Sequence, residues 1–223
     1  MRSNKENRII ECSNRLFIES GYYATTMRQI ASTAKVSLGL ATYHFSTKRN
    51  IAVLIMSKYL RYLKERLAEV HSATEAPLAH SAAMVRLCME FFLSHPCKQF
   101  YLECLVQEIY ADSIKSLGET SITLIAKAYK VDATSDLLML FDNYIPTSVE
   151  RILITEKVKG NFPGIPFDMI PDIVFSLTVE RLLEKPEIRR ASASGCEIAR
   201  NALAIIPKDI TQTLFSEKSQ ADN

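Results

Sequence analysis

An all-α fold follows from three observations on this chain of 223 residues. Apolar side chains recur at i, i+3, i+4 and i+7 along most of its length, the helical period. Glycine is scarce, at six residues. The period-2 alternation expected of strands is rare. With 48% hydrophobic residues there is enough apolar material for a packed core. The expected architecture is an N-terminal three-helix head containing a helix-turn-helix, followed by a C-terminal helical domain, with about nine helices in all.

The head is the more sharply written part. Ser3 with Glu6 fits a capping box for a first helix over about 4–20, and Gly21 fits the position after its end. Ile9, Cys12, Ser13, Leu16 and Phe17 form its buried stripe. Thr26 stands at an N-cap with Gln29 three residues on, opening a helix whose apolar face is Met27, Ile30, Ala31 and Ala34. Lys35-Val36-Ser37 is a tight turn, and Ser37 caps a second short helix, Leu38 to His44, packed through Val36, Leu40 and Tyr43. Two helices joined by such a turn make a helix-turn-helix over 26–45, whose second helix enters the DNA major groove. Ser46 or Thr47 caps a fourth helix over about 47–71, with the stripe Ile51, Leu54, Ile55, Tyr59, Tyr62, Leu63, Leu67 and Val70. It is too long for a three-helix head alone, so it links a head over 1–50 to a second domain over 51–223.

The second domain is punctuated by prolines and glycines. One helix over about 78–94 is ended by His95-Pro96, because the residue before a proline avoids the helical region. Another over about 97–117 is ended by Gly118, and 119–130 adds a further helical segment. Residues 134–160 are helical in pattern, with a break near Tyr144-Ile145 where Pro146 opens a new helix. Asn161 to Pro166 is a loop. A helix from about Phe167 to Glu184 ends before Lys185-Pro186, and the last runs from about Ser194 to Ile206. The polar tail from about Ser216 is expected to fray.

Charge and cysteine usage narrow the function. The net charge is only +2, but residues 1–60 carry nine basic and three acidic side chains, a net of +6. A basic head on a mildly acidic body suits a protein that meets phosphate with one end. The five cysteines are odd in number and form no CxxC, which argues against a disulfide scaffold or a zinc ribbon. His95, Cys97 and Cys104 lie close enough to weigh as a thiol or metal sensor, though core cysteines are the commoner outcome. The N-terminus has no apolar core of a signal peptide, and no apolar run reaches the roughly 18–20 residues of a membrane span, so a cytoplasmic protein is expected. No Ser/His/Asp order, Gly-rich phosphate loop or paired-carboxylate motif stands out, so an enzyme is not expected, and nothing calls for a cofactor or metal.

The stretch from Leu16-Phe17 through Gly21-Tyr22, Thr25-Thr26-Met27-Arg28-Gln29-Ile30-Ala31, Ala34, Val36-Ser37, Gly39, Tyr43-His44-Phe45 and Lys48 resembles the TetR family of bacterial transcriptional regulators. The resemblance covers residues 8–58. It departs at Lys35, where the family usually has glycine and where a left-handed backbone would cost about 1–2 kcal/mol, and at Thr42, where many members carry a phosphate-contacting tyrosine. It implies a double-stranded DNA operator as partner. Thr26 and Arg28 would reach phosphate or a base edge, and Ser37, Leu38, Gly39, Ala41 and Thr42 would face the groove. Tyr43, His44 and Lys48 would hold the backbone.

One helix-turn-helix contacts few base pairs, so specificity needs two on half-sites about 34–36 Å apart or a multiple of that, and a homodimer is expected. Ile173, Val174, Leu177 and Leu182, with Ile198, Ala202, Leu203 and Ile206, are the candidate interface, forming a four-helix bundle with their symmetry mates in the resemblance. The resemblance also implies a pocket for a small lipophilic effector in the middle helices. Candidates are Tyr62 and Arg66 on the linking helix, the aromatics Phe91, Phe92, Tyr110, Phe141 and Tyr144, and the polar groups His95, Glu103 and Gln107. The expected function is a repressor released from a palindromic operator by that effector. The alternative is a DNA-binding factor without an effector, controlled by a protein partner or organising DNA.

Overall fold

The computed structural model describes residues 4–118, 121–132, 134–180, 182–183 and 185–215. Among these there are thirteen α-helices and no strand. Helix α1 (Asn4–Ala24) is broken at Gly21, whose φ of 83° and ψ of 164° lie outside the helical region, as expected for a glycine that ends a helix. Helices α2 (Met27–Thr33) and α3 (Leu38–His44) are the helix-turn-helix. The Thr26 hydroxyl accepts from the Gln29 amide while the Gln29 side chain accepts from the Thr26 amide, completing the capping box. Ser37 caps α3 by accepting from the Leu40 amide at 3.1 Å. Between them Lys35 adopts φ 51°, the left-handed turn conformation that glycine would take without strain.

Helix α4 (Lys48–Val70) starts at a Thr47 cap and runs from the head into the body. Ile9, Ile10, Phe17, Ile30, Ala34 and Phe45 of the head and Ile51 and Ile55 of α4 belong to one buried cluster, which continues through Phe92, Phe100 and Tyr101 of the body. The body contains α5 (Pro77–Ser94), α6 (Lys98–Val106), α7 (Ile109–Lys115), α8 (Ser121–Tyr129), α9 (Ser135–Met139), α10 (Ile145–Val158), α11 (Ile170–Val179), α12 (Lys185–Ala204) and α13 (Thr211–Phe215). A π-helical turn, Leu140–Tyr144, joins α9 to α10 at the expected break, and Pro146 opens α10.

Three segments differ from the sequence reading. The single helix expected over 97–117 is two, because Glu108 takes a left-handed φ of 57° and the chain turns there. No proline or glycine marks this break, and the apolar period continues on both sides. The penultimate long helix is shorter: α11 begins after a 3-10 turn (Phe167–Met169) and ends at Val179. Helix α12 starts nine residues earlier than expected, because Pro186 sits in its first turn, where a missing N–H costs nothing, instead of ending the helix before it. The Ser3 cap, Glu184 and the tail from Ser216 lie outside the described residues.

Helix α12 lies against α5 at very short range. A Cβ on Gly195 would come within 2.7 Å of the Ala82 Cβ and 2.9 Å of the Ala83 amide nitrogen. The short α13, absent from the sequence reading, returns to α4, with the Phe215 ring 5.5 Å from that of Tyr59.

Candidate nucleic-acid interface and internal cavity

The outward face of the helix-turn-helix carries Thr26, Arg28, Ser37, Gly39 and Thr42, all exposed, with Leu38 partly so. Tyr43 is 82% exposed and does not pack α3 onto α2 as its spacing suggested; that role falls to Val36 and to Ala41. Ala41 is fully buried in the head core, which removes it from the groove-facing set. It lies three residues from Leu38, but on the side of a two-turn helix that the head core covers. The Thr42 hydroxyl donates to the Leu38 and Gly39 carbonyls, leaving its lone pairs as acceptors toward solvent.

His44 and Lys48 turn inward. His44 Nδ1 lies 3.0 Å from Glu6 Oε1 of α1. Lys48 Nζ donates to the carbonyls of Tyr22 (2.6 Å) and Thr25 (2.7 Å) and sits 4.1 Å from the Tyr22 ring centre. Burial pushes its pKa down, partly opposed by the charge of Glu103. Two of its three donors are thus spent closing the corner between α1 and α2, a different use from the phosphate contact expected of it.

A short, capped, outward-facing α3 behind a left-handed turn is the geometry of a helix-turn-helix reader. The model for the tetR family of bacterial regulatory proteins matches residues 9–54, the span from α1 to the first turns of α4. Over those residues the head is similar to that of tetR-family regulators. Over 56 residues it is 43% identical to the HTH-type transcriptional regulator HbdR of Aromatoleum sp. (strain CIB), a match covering 25% of this chain and 24% of HbdR. An uncharacterized HTH-type transcriptional regulator, YuxN of Bacillus subtilis (strain 168), is 25% identical over 91 residues, 41% of this chain and 31% of YuxN. The matches therefore span less than a third of either relative. The fold extends further: SmeT, the repressor of the Stenotrophomonas maltophilia multidrug efflux pump SmeDEF, superposes with a TM-score of 0.52 at 12% identity, covering 83% of this chain and 93% of SmeT.

The head is joined to the body by more than α4. Glu103 of α6, buried, accepts the backbone N–H groups of Tyr22 and of Tyr23 (3.2 Å) just past the break in α1. A carboxylate on two backbone amides is a strong, charge-assisted contact. It reaches them because residue 21 has no side chain: a Cβ there would lie 2.9 Å from Glu103 Oε1. Gln99 holds that same oxygen at 2.8 Å, and Gln107 donates to the Tyr23 hydroxyl at 2.8 Å. Arg49 binds the Gln107 carbonyl and, at 2.6 Å, Asp112 of α7. Glu103 and Gln107, read in the sequence as effector groups, are instead the head's anchors on the body.

The body holds a cavity in which the centre of a water-sized sphere has about 150 Å³. Leu60 and Lys64 of α4, Met84, Val85 and Cys88 of α5, Tyr110 and Ile114 of α7, Ile122 of α8, Phe141, Thr147 and Glu150 of the α10 region and Phe175 and Thr178 of α11 line it. Of the sequence candidates only Tyr110 and Phe141 are among its lining residues. Phe92 stacks on Tyr101 at 4.8 Å, and Phe91 stacks on His95 at 4.7 Å, so these rings are spent on the core. Arg66 pairs with Glu69 and lies 5.1 Å over the Tyr62 ring, away from the cavity. Tyr144 is half-exposed beside a second, more polar hollow with Asp112, Lys115 and Arg151.

Glu150 is the group the sequence reading missed. It is 5% exposed and accepts from the Tyr101 hydroxyl. Burial pushes its carboxyl up to about 7, opposed by hydrogen bonds from Tyr101 and Tyr110. A single Glu beside Arg151 on an amphipathic helix reads as a surface residue unless its tertiary partners are known. His80, also on the cavity wall, is pushed below its ordinary value by burial, with the charge of neighbouring His71 adding to this. The cysteines considered for sensing are core residues: burial pushes Cys97 up to about 12 and raises Cys104 as well, which leaves both thiols protonated and poorly nucleophilic. No group of three metal-ligating side chains occurs among the described residues. Nor is any helix there long and apolar enough to cross a membrane.

The candidate dimer residues divide. Val174 of α11 is fully buried within the protomer, as is Ala202, and Ile198, Leu203 and Ile206 pack against its core where Gly195 lets α12 approach α5. The exposed side of α12 is polar, with Arg189, Arg190, Ser194, Glu197, Arg200 and Asn201. Leu177 is 45% exposed, Ile173 and Leu182 are half-buried, and Phe167, Met169, Ile152 and Val158 are also exposed around α10 and α11. The unpaired apolar surface is therefore centred on α10 and α11, with α12 contributing less than its sequence suggested.

Proposed function

We propose that the chain is a homodimeric transcriptional repressor whose two heads read a palindromic DNA operator and release it when a small lipophilic effector fills the body cavity. Its exposed Thr26, Arg28, Ser37, Leu38, Gly39, Thr42 and Tyr43 meet DNA, with few groups suited to bidentate base reading, so groove shape and phosphate contacts weigh heavily. The exposed apolar residues of α10 and α11 pair with their symmetry mates to set the spacing of the heads.

The observation that carries this reading is the shared use of α6 and α7. Helix α7 walls the cavity through Tyr110 and Ile114 and holds α4 at its start through Asp112 and Arg49. Helix α6, one left-handed residue away, grips the head through Glu103. A ligand that favours a different setting of α7 also disfavours the head position that Glu103 holds. It acts only through its unequal affinity for the two settings.

The test is fluorescence anisotropy of the full chain on DNA from upstream of its own gene, with a panel of lipophilic compounds first ranked by thermal shift. A compound that raises the melting temperature should weaken DNA binding by about 5- to 150-fold. Stabilisation with unchanged DNA affinity would refute effector release and favour control by a protein partner.

A further inference from the structure

Among the described residues, no lysine, arginine or histidine forms an ion pair with Glu150, although every other strongly buried charged group has a visible purpose. Arg86 is held by Glu90 and Asp172, and Glu103 by backbone amides. Glu150 has two phenols and a wall position on an otherwise largely apolar cavity. Burying a carboxylate without a counter-charge is costly, and a cation brought beside it would remove that cost.

We propose that the cavity is selective for a lipophilic amine, its protonated nitrogen seated against the Glu150 carboxylate beside the Tyr101 and Tyr110 hydroxyls and its apolar body against Met84, Val85 and Phe175. This rests on the effector reading above and names the chemical class of the effector. The surrounding charges fit. From α11 the wall receives Val174, Phe175 and Thr178 and no charge, and Asp172 of that helix is occupied by Arg86. From the π-helical turn it receives Phe141. Lys64 bears on His80, which burial holds toward the neutral form, and neither figures among the influences on Glu150. Cys88 is pushed up by its burial and by the Glu150 charge, so it too is neutral. An anionic ligand would meet the one carboxylate of the wall, and a purely neutral one would leave that carboxylate without a partner of opposite sign.

Three probes of matched shape decide it: 4-phenylbutylamine, 4-phenylbutan-1-ol and 4-phenylbutyrate, titrated calorimetrically into the full chain. The amine should bind at least tenfold more tightly than the alcohol, with the acid weakest. In Glu150→Gln the amine's advantage should vanish while the alcohol binds as before, which also shows that the variant is folded. If that variant does not fold, the unmodified chain still decides. With the Glu150 carboxyl near 7, lowering the pH from 8 to 6 should cost the amine about tenfold in affinity and leave the alcohol unchanged. Equal binding of amine and alcohol, or an amine preference that survives Glu150→Gln or ignores pH, overturns this inference while leaving the effector reading standing. Failure of all three probes to bind overturns it too, and the DNA-release experiment then judges the effector reading on its own.

Discussion

Removing the Lys48 ammonium leaves the Tyr22 and Thr25 carbonyls without their donor at the α1–α2 corner. Lys48→Ala should therefore lower stability by about 1–3 kcal/mol, read from chemical unfolding. The slope of log affinity against log salt should be unchanged, because no phosphate contact is lost. Arg28→Ala, at an exposed position, should leave stability intact and reduce that slope by about one. If Lys48→Ala changes the slope instead, its third N–H is on DNA. Glu150 supplies a second residue-scale prediction. Its folded carboxyl titrates near 7, above the unfolded value near 4.5, so the folded state binds the extra proton between those limits. Its effect on stability is thus most unfavourable above pH 7 and fades as the pH falls toward 4.5. Glu150→Gln should raise the melting temperature relative to the unmodified chain at pH 8, by about 1–3 kcal/mol in stability, and much less at pH 5. A pH-independent difference would refute the buried, unpaired carboxylate. Neither role was legible in the sequence. Lys48, Glu103 and Glu150 are charged residues on helices, and their burial is decided by partners 26, 81 and 49 residues away.

At the scale of elements, local chemistry was readable and packing was not. The Thr26–Gln29 box, the Ser37 and Thr47 caps and the Pro146 break all follow from rules acting within a few residues, whereas the left-handed Lys35 was expected from the resemblance alone. The break at Glu108 has no such signal, and the early start of α12 was hidden by a proline that opens helices as readily as it ends them. Two glycines make opposite predictions. Gly195→Ala forces a Cβ into Ala82 and the Ala83 backbone, so it should destabilise by about 1–3 kcal/mol. Gly39→Ala meets nothing within 4 Å and should stabilise α3 by about 0.5–1 kcal/mol. If α3 lies in the groove as proposed, that same methyl should weaken operator binding, so a more stable but weaker binder is the expected result. Thermal unfolding and anisotropy on one preparation check both.

The proposed dimer rests on a surface that the single chain leaves uncovered. Leu177, Phe167, Met169, Ile152 and Val158 are exposed apolar side chains on α10, α11 and the turn between them. Leu177→Asp should leave the fold intact, shift the protein to monomer in sedimentation at micromolar concentration, and weaken operator binding by well over tenfold, because one head alone contacts too few base pairs. A dimer that survives this change would move the interface to α12. The sequence showed that both final helices were apolar over more than one face. It did not show which excess is consumed inside the protomer, since that depends on how closely Gly195 lets α12 approach α5.

The Glu103 grip also bears on how such proteins can be recombined. The head looks detachable at residue 50, yet its first corner is completed by a carboxylate from α6. A foreign head grafted at that cut would retain this attachment only with glycine at the position of Gly21 and two free amides after it. Heads lacking that feature would dock loosely on the body. Transplanting residues 99–112 together with the head would carry the joint intact.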